Sequence, residues 1–517
     1  MAVELPWWAD ELAVAVLAAA LALWFCYFRH FSYWTNKGAP HLRPWTPFGN
    51  CYKSIVQKQM LAEDLDELYR RFRGKRYVGF YRGLEPRLLL IDPDVIRQIL
   101  VKDFDNFTDR EPSIIDDPIM LDQLFNMKGD KWRRLRQKLS PMFTSGKLKT
   151  MFQTLNDCGF EMVEVLAGAA KEGRVLQFRE VFALYTTEVV ATLAFGVKLN
   201  CQHNPDCDFR MWARLLLQPR AIPFKYLALA IFTPPLRRYL ESKAPRINLF
   251  EYFDNMVKET LHDRLENPVK KNDFMEMFIQ LHTKGFVEGE KEGGITWKLT
   301  ENEVAAQAFL FYIAGFETSS TTMSFAAYEL AVNPEVQERV LAEIDAVLAE
   351  SGEISYDSLA KMKYLDRVLS ETLRKYPPVS WLTRQTLRPY RLPSADGGDG
   401  EGALLEPGVV LMVPVFSVHY DPNHFPDPQR FDPDRWVDEA KGTRHPFAYM
   451  PFGEGPRFCI GMRLGLLQAK LGLVHFFSHY RVEVCSQTDI PLHFDPMAAV
   501  LACKNGVQLR ITSRKAS

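Results

Sequence analysis

Cys459 stands in the run Phe452-Gly453-Glu454-Gly455-Pro456-Arg457-Phe458-Cys459-Ile460-Gly461. A cysteine thiolate is a strong ligand for iron and pushes electron density onto it. It must first lose its proton, which takes hydrogen-bond donors or positive charge nearby. Arg457 is a fixed cation two residues away, and the glycines let the backbone approach whatever the sulfur holds. The stretch from Ile460 to about Tyr480 reads as an amphipathic helix. That puts Cys459 near a helix N-terminus, where free N–H groups and the helix dipole favour a thiolate. The competing reading of a lone cysteine is a buried structural thiol, since free Cys is among the most buried residue types.

A second group is Ala314-Gly315-Phe316-Glu317-Thr318-Ser319. It lies inside a helix that the sequence predicts from a capping box at Thr300 and Glu303 to about Val332, where Asn333-Pro334 stops it. The residues from Ala305 to Phe316 are almost wholly apolar, so this helix is expected to be buried on all sides. Gly315 in its interior costs ~1 kcal/mol relative to Ala. A buried Glu317 is also expensive unless partnered. Two such costs side by side point to a functional site. A kinked structural helix with a solvent-facing glutamate is the plainer alternative. Ala314 and Thr318 are one turn apart and share a face. Glu371 with Arg374, and Trp132 with Arg136, are likewise spaced to meet on helix faces.

These residues sit in a chain of 517 residues, 47% hydrophobic and 13% aromatic, which can bury a large core. The net charge is −1 with no basic block, so nucleic acid is not an expected partner. The eight cysteines show no disulfide spacing, as in a reducing compartment. Strand-like runs are expected at 76–81 and 88–91, helices from there to about 375, and a second strand-rich portion at about 382–414. Within the last, the acidic glycine-rich residues 395–402 read as a hairpin tip. No dinucleotide-binding or phosphate-cradling glycine loop is present, so electrons for any redox step would come from another protein. Residues 12–28 form an uncharged apolar run at the short end of the ~17–25 residues that span a bilayer. Acidic residues precede it, and Arg29, His30 and Lys37 follow it. An uncleaved anchor with the bulk of the chain cytosolic is expected on that asymmetry. Trp7, Trp8, Trp24, Tyr27, Tyr33 and Trp34 are its candidate interfacial residues. Residues 221–232 are a second, shorter apolar run, read either as a membrane contact or as an ordinary buried helix.

The ten residues from Phe452 resemble the haem-binding loop of the cytochrome P450 superfamily, Phe-x-x-Gly-x-Arg-x-Cys-x-Gly. Every fixed position matches: Phe452, Gly455, Arg457, Cys459 and Gly461. The resemblance implies that Cys459 is the proximal ligand of the haem iron. The run from Ala314 resembles the family's Ala/Gly-Gly-x-Asp/Glu-Thr-Thr/Ser motif on its central helix. This implies that Gly315 makes room for dioxygen and that Thr318 and Glu317 deliver protons to it. Glu371-Thr372-Leu373-Arg374 resembles the Glu-x-x-Arg motif, a buried ion pair whose third member comes from 428–431. Arg430 matches that member, although Gln429 stands where the family more often has Glu. Trp132 and Arg136 resemble the Trp-x-x-x-Arg pair that reaches a haem propionate. Arg384 matches a second propionate partner and Arg457 a third. Lys131, Arg133, Arg134 and Lys138 are then expected to face outward, either solvated or as a dock for an acidic redox partner.

The resemblance covers essentially the whole chain. It implies a mainly α prism-shaped fold with a smaller β portion, and an N-terminal transmembrane helix in the endoplasmic reticulum membrane. The divisions are an anchor at 1–31, a proline-rich linker at 32–50 and a catalytic domain at 51–517. The cofactor implied is haem b, and the reaction monooxygenation of a lipophilic molecule by O2. Electrons would come from NADPH through NADPH–cytochrome P450 reductase, with cytochrome b5 as an accessory donor. The stretches 138–147 and 314–320 look most like insect microsomal members that clear xenobiotics such as plant toxins or insecticides. By position in the family pattern, Ile114, Ile115, Leu124, Phe125, Phe309, Ala314, Val379, Trp381 and Val500 are expected to line the substrate pocket. The alternatives are a hydroxylase of an endogenous hormone or lipid, a haem-thiolate isomerase or dehydratase, and a haem sensor without turnover. The intact Glu317-Thr318 pair argues against the last two.

Overall fold

The longest helix begins where its capping box puts it. Thr300 Oγ1 accepts from the Glu303 N–H at 3.2 Å, and Glu303 returns the bond to the Thr300 N–H at 3.1 Å. It runs Glu301–Val332 and is buried along almost its whole length, as an all-round apolar sequence requires. The computed structural model describes residues 30–45, 48–113, 115, 117–217, 249–268, 271–288, 297–437 and 444–514, with a few positions between 14 and 24. The anchor expected at 12–28 lies mostly outside the described residues, and the second apolar run, 221–232, and Ile114 lie wholly outside them. Among the described residues no helix is long and apolar enough to cross a membrane.

The helices of ten or more residues are α1 (Leu61–Arg71), α2 (Gly129–Leu139), α3 (Ser145–Glu172), α4 (Phe178–Val190), α5 (Asp208–Leu217) and α6 (Leu249–Glu266), followed by α7 (Phe274–Thr283), α8 (Glu301–Val332), α9 (Pro334–Ser351), α10 (Lys363–Lys375) and α11 (Met462–His479). The strands are β1 (Tyr77–Arg82), β2 (Glu85–Leu90), β3 (Val175–Gln177), β4 (Leu382–Gln385), β5 (Tyr390–Pro393), β6 (Glu401–Leu405), β7 (Val410–Val413), β8 (Tyr480–Glu483) and β9 (Gln508–Ser513). They form three small sheets, ordered β1-β2-β7-β4, β3-β9-β8 and β5-β6. Among the strand pairs of the described residues, only β2–β7 is parallel. The fold is therefore mainly α with a smaller β portion, and the glycine-rich run at 395–402 does cap the β5–β6 hairpin.

The buried apolar residues form two bodies. One surrounds α8 with α3, α4, α7, α10 and α11. The other lies under the first sheet and includes Trp34, Phe80, Tyr81 and Leu88 to Leu90. Trp34, expected at a membrane interface, is instead fully buried there. Its indole N–H donates to the Phe80 carbonyl at 3.1 Å, and its ring occupies the space where a side chain on Gly79 would stand. Tyr33 and Lys37 both bond Glu406. The start of the expected linker is thus fastened to the loop between β6 and β7.

Candidate active site

The Cys459 loop is set by its backbone. The Cys459 N–H donates to the Phe452 carbonyl at 2.9 Å, and the Phe458 N–H to the Gly455 carbonyl at 3.0 Å. Gly455 has φ +73° and lies so close to the Leu100 carbonyl that a Cβ would come to 2.0 Å from it. Only glycine meets both demands. Helix α11 starts three residues after the cysteine, with Gly461 at its N-cap. Burial raises the Cys459 thiol pKa, while the Gly461 N–H and the charges of Arg136 and Arg110 pull the other way. Yet Cys459 has accessible surface. A thiol that is both accessible and desolvated faces a space enclosed by protein.

Helix α8 opens onto the interior along one stripe. Leu310, Ala314 and Thr318 carry accessible surface, whereas Phe309, Phe311, Tyr312, Phe316 and Glu317 beside them are buried. The three are spaced i, i+4, i+8 and share a face. The Thr318 hydroxyl donates to the Ala314 carbonyl at 2.7 Å, so its lone pairs stay available to accept a further bond. Helix α11 lies against α8 next to this stripe, with Gly465 facing Ser319. Glu317 is buried and ion-paired to Arg179, a partly exposed residue at the start of α4. That pairing removes the cost of burying the carboxylate. Gly315 also meets a packing need that the sequence did not show. A Cβ there would meet Val190 Cγ2 of α4 at 2.9 Å, so the glycine lets α4 and α8 approach. Thr186 of α4 also donates to the Phe316 carbonyl at 2.9 Å.

Four arginines gather near the thiol. Arg384 is buried, its Nε has no partner among the described residues, and burial lowers its pKa to about 10. Arg457 is lowered to about 9 by burial and then by Arg384. Arg110, which the sequence reading missed, is pushed well below its ordinary value by burial and by Arg384 and Arg457. Burial also lowers Arg136, whose guanidinium lies 4.8 Å over the Phe458 ring and makes no hydrogen bond among the described residues. The Trp132 indole N–H likewise has no acceptor among them. Against these cations stands Asp109, 3.9 Å from Arg457. The cluster is short of negative charge.

Arg457, expected as a propionate donor, also braces the loop before α2. Its guanidinium gives four of its five N–H donors to the backbone carbonyls of Thr108 (2.8 Å), Leu124 (3.4 Å), Phe125 (3.2 Å) and Met127 (2.6 Å), and stacks 4.1 Å over Trp132. It ties the loop before α2 to the Cys459 loop and adds charge. Lys138, expected outward, is buried.

Glu371 and Arg374 form the fully buried ion pair that the family resemblance implied, with bonds at 2.8 and 2.9 Å. The third cation is Arg435, 3.3 Å from Glu371, and not Arg430. Arg430 is exposed and supplies only its carbonyl, to Arg374 at 3.3 Å. The run Phe431-Asp432-Pro433-Asp434-Arg435-Trp436 turns back so that Arg435 and the Trp436 indole reach Glu371.

Of the expected pocket residues, Ile115, Phe125, Ala314 and Val379 carry accessible surface, and Trp381 and Val500 are half-buried. The Leu501 N–H donates to the Pro378 carbonyl at 3.0 Å, which brings the Val379 and Val500 loops together. Phe125 lies under the Arg110 guanidinium at 3.9 Å. Leu124 is buried, its N–H held by Gln307 at 2.9 Å. Phe309 is core, packed on Phe250 and Phe253. On a helix apolar all round, sequence cannot separate the open face from the packed ones.

An enclosed thiol held by an N–H, an open stripe on a buried helix beside it, and a cluster of arginines lacking anions together suit a metallated planar group with peripheral carboxylates. That is the site of a haem-thiolate protein. The family model for cytochrome P450 matches residues 40–510. Two proteins of Drosophila melanogaster, the probable cytochrome P450 6a14 and cytochrome P450 6a2, are each 38% identical to this chain, over 96% and 97% of it and 99% of each relative. Cytochrome P450 6A1 of Musca domestica is 38% identical over 96% of this chain and 97% of the relative. The chain belongs to the cytochrome P450 family and is similar to its insect members. It is a monooxygenase, and its cofactor is haem b.

Proposed function

We propose that this chain oxygenates lipophilic foreign molecules, such as plant toxins or insecticides, at the endoplasmic reticulum membrane. Residues 12–28 anchor it there, 32–50 connect, and 51–517 carry the chemistry on the cytosolic side. Cys459 would hold the haem iron through its sulfur. Arg384, Arg136 and Trp132 have donors left over and hold the haem propionates, with Arg110 beside them. Bound haem supplies the activation of O2. Thr318 accepts and passes on a proton at its Oγ1, and Glu317, with Arg179 leading toward solvent, replenishes it. Val379, Trp381, Val500, Ile115 and Phe125 offer the apolar surface that suits lipophilic substrates. Arg457, Phe452 and Gly461 shape the thiolate loop. NADPH–cytochrome P450 reductase delivers the electrons, and cytochrome b5 assists.

The observation that supports this reading most is a buried Arg384 whose Nε has no partner among the described residues, joined through Arg110 to a desolvated, accessible Cys459. Reconstitution with the reductase tests it. A lipophilic plant toxin should raise NADPH and O2 consumption in proportion and yield a product one oxygen heavier. Product without O2 uptake would assign an isomerase instead.

A further inference from the structure

His419 lies between the buried ion pair and the loop that holds Cys459, and both of its ring nitrogens are engaged. Nδ1 is 3.1 Å from the Arg374 carbonyl, so Nδ1 carries the hydrogen. Nε2 accepts from the Met450 N–H at 3.0 Å, so Nε2 carries none. The two bonds together require the neutral ring with its proton on Nδ1. Arg374 returns the contact through its guanidinium, which donates to the His419 carbonyl at 3.1 Å. The ring is fully buried and stacks on Tyr449 at 5.3 Å, whose hydroxyl bonds the Ser370 carbonyl of α10. Burial, Arg374 and Arg444 all disfavour a charge on it. Met450 begins the segment that reaches the thiol, its carbonyl accepting from Gly453 at 3.0 Å.

We propose that His419 is a positioning residue through which the Glu371–Arg374–Arg435 network fixes the Cys459 loop, by accepting the Met450 N–H while bonding the Arg374 backbone. A cationic ring could not accept that bond, and an apolar side chain would leave the buried N–H unsatisfied. The inference rests on the reading of Cys459 as the haem ligand.

The test compares His419→Phe and His419→Gln with the parent holoprotein. Phe keeps the ring and its stacking but offers no acceptor; Gln keeps an acceptor oxygen near the Nε2 position. The readout is the rate at which the carbon monoxide spectrum of the reduced protein passes from the thiolate form to the displaced-thiolate form, at a temperature where secondary structure is intact. We expect His419→Phe to convert about 10- to 100-fold faster, the factor set by one unsatisfied buried donor, and His419→Gln to stay within a few-fold of the parent. Equal rates in Phe and parent would overturn the proposal. So would equal acceleration in Phe and Gln, which would mean packing alone matters. If His419→Phe takes up no haem, His419→Gln decides: a folded, thiolate-ligated Gln variant supports the link, and loss in both contradicts it. A parent that gives no thiolate form at all would instead refute the reading of Cys459.

Discussion

Glu371 collects five donors, from Arg374 twice, Arg435, Trp436 and the Asp432 N–H, and it is fully buried. A buried carboxylate loses stability with each donor removed. Arg435→Ala should therefore cost about 1–3 kcal/mol in denaturant unfolding. Arg430→Ala should stay within about 0.5 kcal/mol, as an exposed side chain does. Equal costs would reverse the assignment. At the open stripe of α8, Thr318→Ala should retain haem and still draw NADPH electrons, but release them as hydrogen peroxide. The check is the ratio of peroxide formed to NADPH consumed; a ratio at the parent level would remove Thr318 from proton delivery. Resemblance to the family motifs showed which cysteine, threonine and ion pair to examine. It could not show that Arg457 also bonds carbonyls more than 300 residues earlier, because that contact is set by tertiary approach.

The elements were legible where local rules govern them. The capping box and Asn333-Pro334 set both ends of α8, and the glycine-rich run set the β5–β6 tip. The partner of an element was not legible, and Gly315 shows why. Its motif suggested room for a ligand, and the direction its Cβ would take is filled by Val190 on α4. Gly315→Ala gains ~1 kcal/mol of helix propensity. Against that, overpacking costs about 1–3 kcal/mol, and the β-branched Val190 has few rotamers with which to yield. We expect a net loss of about 1 kcal/mol, largely recovered in Gly315→Ala/Val190→Ala. A double-mutant cycle in urea measures this; additive costs would mean the two helices do not touch there.

At the scale of the molecule, the family and the mainly α fold could be read from the motifs, whereas the attachment of the N-terminal segment could not. A tryptophan near an apolar run reads as an interfacial residue, yet Trp34 closes the core under the first sheet. Removing residues 1–29 should leave the melting temperature of the rest close to that of the full chain. Removing residues 1–36 deletes Trp34 and should cost about 3–5 kcal/mol, the usual effect of emptying a buried Trp site. Equal stability of the two truncations would contradict this packing.

The central claim is that Cys459 binds the haem iron as a thiolate. The carbon monoxide difference spectrum of the dithionite-reduced protein tests it most directly. We expect the red-shifted Soret band of a thiolate-ligated haem in the parent and its loss in Cys459→Ala. The same band in that variant, or a histidine-type band in the folded parent, would contradict the account.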